Sequence, residues 1–292
     1  MKRPVTPAGE TRLTVLRTIG ELRRKLSEFR SVGRTIGLIP TMGALHQGHL
    51  SLVRGAIERD DVPVTSIFVN PTQFGPGEDF AAYPRDESGD LRKLEEAGCR
   101  VVFAPDKDEM YPDPQLTTVT VSSLTTGLCG PLRPGHFQGV ATVVCKLLMV
   151  ALPNRAYFGE KDYQQLQVIK RMAKDLAMPI EILGMPTVRE PDGLAMSSRN
   201  VYLTASERTT AGLLYRELTR VAEAVRDGRS SCATVASAAG DRLLASGFGK
   251  IEYLSVVDAQ SLHPIDYVTT PARVVAAVRL GRTRLIDNVA VN

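Results

Sequence analysis

Between residues 35 and 186, short apolar runs alternate with helix-length amphipathic stretches, and this alternation constrains the fold more than any other feature of the chain. Residues 35–40 (TIGLIP) read as a buried strand, followed by a Gly-containing turn and an amphipathic stretch over 48–59. Residues 62–69 form a second β-rich run, 86–97 a helical pattern ending at Gly98, and 100–104 a third strand. Residues 156–158 precede a predicted helix over 162–176, and 180–184 form another strand. Strands separated by helix-length segments predict βαβ units: a parallel, Rossmann-like α/β sheet with helices on both faces. Continuous rather than alternating apolar strands agree with a sheet covered on both sides.

After Pro186 the texture changes. Residues 205–226 and 231–244 read as helices, then 250–257, 273–280 and 285–291 as strands, which predicts a smaller α+β domain. The expected division is 1–187 and 188–292, with the boundary somewhere between Thr187 and Leu203. The longest apolar run, 140–152, is interrupted by Thr142 and Lys146 and stops at Pro153, so it reads as a buried helix rather than a membrane span. Residues 1–10 lack the apolar stretch of a signal peptide. The four cysteines are widely spaced with no CxxC pair, as expected of small core residues in a reducing, cytoplasmic compartment. A net charge of +4 over 292 residues gives no reason to expect a nucleic-acid partner. The local run Arg23, Arg24, Lys25 reads as a solvated helix face.

The segment most informative about chemistry is PTMGALHQGH, residues 40–49. A buried strand enters a turn with two glycines and two histidines and then a helix, which puts the turn at the carboxyl end of a parallel strand, where ligands bind. A helix N-terminus attracts anions, and Gly43 and Gly48 let a phosphate approach the backbone. His46 and His49 add donors whose contribution grows with transition-state charge. HxxH can also suggest a metal, but no third ligand lies nearby. HxGH between strand and helix is a signature of nucleotidyl transfer at an α-phosphate. A second cluster, Gly159-Glu160-Lys161-Asp162, again follows a strand. Taken alone it is a polar turn with Asp162 as N-cap; taken functionally, Lys161 suits phosphate and Asp162 ribose hydroxyls. The third, Met196-Ser197-Ser198-Arg199-Asn200, suits a triphosphate held by a mobile loop. The fourth, residues 68–74 (FVNPTQF), offers amides to a small polar substrate, though Asn-Pro also simply starts turns.

Together, PTMGALHQGH, SIFVNPTQFGPGEDFAAYPR, RPGHFQGVATVV, FGEKDYQQL and VREPDGLAMSSRN closely resemble, in order, the motif set of the pantothenate synthetase family. The tail RLIDNVAV also looks like the family's C-terminal end. The resemblance implies ATP-dependent joining of pantoate to β-alanine through a pantoyl-adenylate, with release of AMP and pyrophosphate and with Mg²⁺ present. It also implies a C-terminal lid and a homodimer. Carried over position by position, the ATP site is Met42, Gly43, Ala44, Leu45, His46, Gln47, Gly48, His49, Gly159, Glu160, Lys161, Asp162, Val188, Met196, Ser197, Ser198 and Arg199. Catalysis falls to His49 as proton donor, with His46, Lys161 and Arg199. Gln73 and Gln165 match residues that hold pantoate, Gln73 also lying where β-alanine enters; Asn70, Tyr83, Arg133 and His136 match other pocket positions.

One departure concerns the metal. Relatives often carry consecutive acidic residues after AYPR, whereas here Gly89 precedes Asp90. Asp90 is the expected side-chain contact, with triphosphate oxygens holding most of the ion. Two other readings stay open from sequence. A nucleotidyltransferase acting on a phosphorylated substrate would want cations where Gln73 and Gln165 stand. A nucleotide-binding regulatory module would need no acyl pocket.

Overall fold

The computed structural model describes residues 13–291; the segment 1–10 lies outside them. Six strands form one sheet: β1 (Thr14–Leu16), β2 (Ile36–Thr41), β3 (Val62–Ile67), β4 (Val101–Phe103), β5 (Arg155–Gly159) and β6 (Glu181–Met185). Their order is β1-β4-β3-β2-β5-β6 and every pairing is parallel. The helices interleaved with them are α1 (Ile19–Ser31), α2 (Gln47–Glu58), α3 (Glu87–Glu96), α4 (Lys107–Met110), α5 (His136–Ala151) and α6 (Tyr163–Asp175).

One face of the sheet packs against α1, α5 and α6 through residues such as Leu22, Leu26, Val140, Leu148 and Ile169. The other packs against α2 and α3 through Leu50, Val53, Ala56 and Leu94. Coverage on both faces leaves β2 and β3 buried along almost their whole length, with apolar residues over most of it. Helix α5, expected only from Val140, begins at His136 and has twelve of its sixteen residues buried, so it is an internal helix. No helix among the described residues is long and apolar enough to cross a membrane.

The chain order reverses beside β2. Successive crossovers build β3 and β4 on one side of it, and the chain then returns to place β5 and β6 on the other. The carboxyl ends of β2, β3 and β5 therefore meet at the topological switch point, the position at which open α/β sheets bind ligands.

Beyond β6 come α7 (Ala205–Ala211), α8 (Leu213–Val225) and α9 (Cys232–Ala245), then β7 (Lys250–Asp258), β8 (Ala272–Leu280) and β9 (Thr283–Val291). The last three strands form a separate antiparallel sheet in the order β7-β8-β9. It has its own core, in which Leu214, Leu218 and Val221 of α8 meet Val274, Ala276 and Val278 of β8.

The sequence predicts one helix over 205–226, but the structure breaks it at Gly212. Glycine is a weak helix former, and here its bare Cα admits Asp192: a Cβ would stand 2.9 Å from that carboxylate. The edge strand β1 and the single-turn α4 are not legible in the hydrophobic pattern, being only three and four residues long. All four cysteines are free; Cys99, Cys129 and Cys232 are buried and Cys145 is half-buried.

Candidate active site

A cleft of about 1230 Å³, part of it open to solvent, lies over the carboxyl ends of β2, β3 and β5. Its walls include Met42, His46, Gly48 and His49 after β2, Asn70 and Gln73 after β3, and Gly159, Lys161, Asp162 and Gln165 after β5. Tyr83, Val188, Met196, Ser197, Ser198 and Arg199 close the remaining side.

His46 is the N-cap of α2, and the two histidines take the roles that Ser and Glu play in an ordinary capping box. His46 Nδ1 accepts from Gly48 N at 3.1 Å, and His49 Nδ1 accepts from His46 N at 3.3 Å. A Cβ on residue 48 would stand 2.8 Å from the His46 ring, so glycine at this position lets the ring fold back on the cap. A ring nitrogen that accepts from an N–H carries no proton, so both imidazoles are neutral and keep their hydrogen on Nε2. Burial, reinforced by Lys161, lowers the His46 pKa to about 4. Burial, reinforced by His46, lowers that of His49 to about 3. In the free protein both rings are therefore neutral donors rather than imidazolium acids.

The turn before them is held from α3. Gly43 and Ala44 both sit at positive φ, 78° and 51°. Asp90 is buried and accepts from Ala44 N at 2.7 Å and Leu45 N at 2.8 Å. Lys93, one turn along, donates to Leu45 O at 2.9 Å. Asp90, expected beside the metal, here gives both oxygens to the backbone of the turn and does not line the cleft. Among the described residues no group of three or more His, Cys, Asp or Glu side chains is arranged to hold an ion. The donor set does not fit a side-chain metal cage.

Lys161 stands 3.6 Å from Asp162. Burial pushes the Asp162 carboxyl up, but Lys161 and Arg199 outweigh it and hold the group below the usual range. Asp162 is positionally the N-cap of α6, yet its side chain makes no cap hydrogen bond, which leaves its carboxylate to the cleft. Arg199 is bidentate to Asp79 at 2.8 and 2.9 Å, and Ser198 Oγ lies 3.4 Å from Tyr83 Oη. The 196–200 segment, expected as a mobile loop, is thus tied across the cleft to the 77–83 loop.

Asn70 organises the amide end. Its Nδ2 donates to Gln73 Oε1 at 3.0 Å and to Gly139 O at 3.2 Å, while its Oδ1 accepts from Tyr111 Oη at 2.8 Å. Gln73 Nε2 donates to Met42 Sδ at 3.0 Å; a thioether is a weak acceptor, and the amide's second N–H remains available. Val140, Val143 and Val144 of α5 supply an apolar floor beside these amides.

Several expected contacts do not face this cleft. His136 Nδ1 donates to Gln73 O at 2.8 Å and its Nε2 accepts from Arg133 at 2.9 Å, so it supports Gln73 from behind. Arg133 is paired with Glu78 at 2.6 Å. Glu160 turns away to Arg273 at 3.1 Å. Leu45 is in the core, and exposed Gln47 accepts from Arg54 at 3.2 Å. Gly43, Ala44 and Leu45 shape the turn without lining the cleft. Thr41, Phe68 and the three valines of α5 fall within the quoted motifs without an assigned contact there; they line the cleft, as does Thr187. Thr41 closes β2 and Phe68 directly follows β3, the positions at which a strand end meets a ligand, whereas a valine on a buried helix reads the same whether or not it floors a pocket.

The family profile described as Pantoate-beta-alanine ligase matches residues 14–290. The chain belongs to the pantoate–β-alanine ligase family. A pantothenate synthetase of Paramagnetospirillum magneticum is 53% identical over 281 residues, covering 96% of this chain and 99% of that protein. One from Rhodospirillum rubrum is 52% identical over 280 residues, covering 96% and 99%. The crystal structure of pantothenate synthetase from Thermus thermophilus superposes with a TM-score of 0.88 at 47% identity, over 95% of this chain and 99% of that one. A pantoate-beta-alanine ligase from Francisella tularensis, described as complexed with β-γ ATP and β-alanine, aligns with a TM-score of 0.78 at 34% identity, over 96% and 98%. Membership of this ligase family rules against the two alternative readings of the HxGH turn.

Proposed function

We propose that this cleft carries out the ligation that defines the family: pantoate and β-alanine are joined at the expense of ATP, which leaves as AMP and pyrophosphate. The observation that carries the assignment of residues is the convergence of three phosphate-compatible clusters at one switch point, beside an amide-lined pocket with an apolar floor. The triphosphate lies against the start of α2, Lys161 and the 196–199 segment. Pantoate lies between Gln73 and Gln165, with its dimethyl group toward the α5 valines.

A pantoate carboxylate oxygen attacks the α-phosphorus in line, and the bond to the pyrophosphate bridging oxygen breaks. Charge grows on that oxygen and its neighbours. Lys161, Arg199, Ser197, Ser198 and the two Nε2–H groups meet it, already oriented, in a partly buried site. The β-alanine amine, as free base, then attacks the acyl carbon, and AMP departs. Magnesium, when bound, would be held mainly by the triphosphate and would offset charge on the departing pyrophosphate, alongside Lys161 and Arg199. The second lobe serves as the lid, with the domain division after Thr187, the chain works as a homodimer, and the reduced cysteines suit the cytoplasm.

Pantoate labelled with heavy oxygen in its carboxylate tests the chemistry. Transfer of one label into AMP is expected, because the attacking oxygen becomes bonded to the α-phosphorus. Label appearing instead in free phosphate, with ADP formed, would mean an acyl-phosphate route and would sink the adenylate assignment.

A further inference from the structure

The C-terminal segment RLIDNVAV is assigned no part in the chemistry above, yet two of its residues reach the cleft's framework. Asn288, on β9 of the second sheet, is 4% exposed. Its Nδ2 donates to both Glu160 O and Lys161 O, each at 2.9 Å, and its Oδ1 accepts from Arg273 at 2.5 Å. Every strong hydrogen-bonding position of that amide except one lone pair is used, and two of the partners are the backbone of the turn that carries Lys161.

Asp287 is equally buried and grips Arg189 with both oxygens, at 2.6 and 2.9 Å. Arg189 lies in the hairpin that leads into the 196–199 segment: Arg189 bridges Ala195, and Met196 N donates to Val188 O at 3.0 Å. Consecutive residues of a strand point to opposite faces. One dipeptide can therefore hold two segments that approach β9 from different sides.

We propose that Asp287 and Asn288 form a positioning brace that sets the Lys161 turn and the Ser197–Arg199 segment in register with each other across the two lobes. Both segments lie outside the second sheet, and neither contains the residue that orients it. A shift of about 1 Å at a charge-stabilising group costs on the order of a hundredfold in rate, so a brace of this kind matters to the reaction and not only to folding. The proposal rests on the phosphate-binding role assigned above to Lys161.

The test uses the full chain. Asn288→Asp keeps the acceptor for Arg273 and removes both donors to the 160–161 backbone. It should lower kcat/KM for ATP by about tenfold or more while leaving the KM for pantoate within about twofold. In a Lys161→Ala background the same substitution should cost nothing further, because a group acting through Lys161 has nothing left to position. Asp287→Asn, which weakens the grip on Arg189, should behave in the same way toward Arg199→Ala. Full, additive losses in both backgrounds, or equal weakening of ATP and pantoate, would make the dipeptide a purely structural element and overturn the proposal. Near-normal turnover by Lys161→Ala alone would overturn the cleft assignment and the brace together. An impaired Lys161→Ala with additive Asn288→Asp would overturn the brace only.

Discussion

His46 and His49 spend Nδ1 on backbone N–H groups and present Nε2–H toward the cleft, and this tautomer follows from local geometry alone. In the free enzyme their imidazole ¹⁵N signals should hold the neutral pattern from pH 8 down to about 5.5, whereas an ordinary histidine is half protonated near 6.5. An imidazolium signal growing in near pH 6.5 would contradict the assignment. The same shifts affect stability. With folded values of about 4 and about 3, below the unfolded value, the unfolded chain takes up protons first as pH falls. Their contribution is therefore present above about pH 6.5 and is lost progressively as pH falls through about 4 for His46 and about 3 for His49, so the midpoint of denaturant unfolding should decline over that window. Replacing either histidine with alanine should reduce kcat by about a hundredfold to a thousandfold, as for the loss of one oriented donor. Gln165→Ala should raise the pantoate KM far more than the ATP KM, by roughly 1–3 kcal/mol, in separate substrate titrations.

The β2–α2 turn, with two residues at positive φ, depends on α3 for its shape. Asn in place of Asp90 can accept only one of the two backbone N–H groups and turns an NH₂ toward the other. Asp90→Asn should therefore lower the melting temperature and kcat together, each lost charged hydrogen bond being worth about 1.5–3 kcal/mol. The Mg²⁺ concentration giving half-maximal activity should stay unchanged. A large increase in that concentration would restore Asp90 as a metal contact. Helix α5 illustrates a different dependence: its valines could be recognised as buried, but not that they floor the pocket beside Asn70 and Gln73. That follows from a crossover placing α5 against β2 and the Pro71–Gln73 turn that follows β3.

The two lobes have separate cores but share the site, through Arg199–Asp79 across the cleft and Asn288 on the 160–161 turn. A ligand touching both should stabilise the molecule as one unit. ATP at about a hundred times its Kd should add about 2.7 kcal/mol, seen by calorimetry as a single transition moving upward. In Lys161→Ala the shift should shrink sharply at the same ATP concentration. Two transitions, with only the first-lobe one moving, would mean that ATP binds without engaging the second lobe.

Strand–helix alternation, the two glycines of the HxGH turn and the polar clusters after strands were readable along the chain because they express local rules. A strand buried on both faces is largely apolar, and a turn meeting a phosphate must leave room for it. These local patterns pointed to the sheet, a ligand site at the carboxyl ends of its strands and, with the motif set, the family; the switch point itself follows from the strand order. They did not reveal what Asp90, Glu160, Arg133 and His136 face, since a charged side chain in a motif reads the same whether it meets a ligand or its own backbone. Nor did they show that Asn288 holds a turn far earlier in the chain, at residues 160–161. Such partnerships depend on how β9 packs against the Glu160–Asp162 turn and how α3 docks under the β2–α2 turn. Burial then decides the outcome: a buried carboxylate or amide must find hydrogen-bond partners, and only the packed fold determines which ones lie within reach.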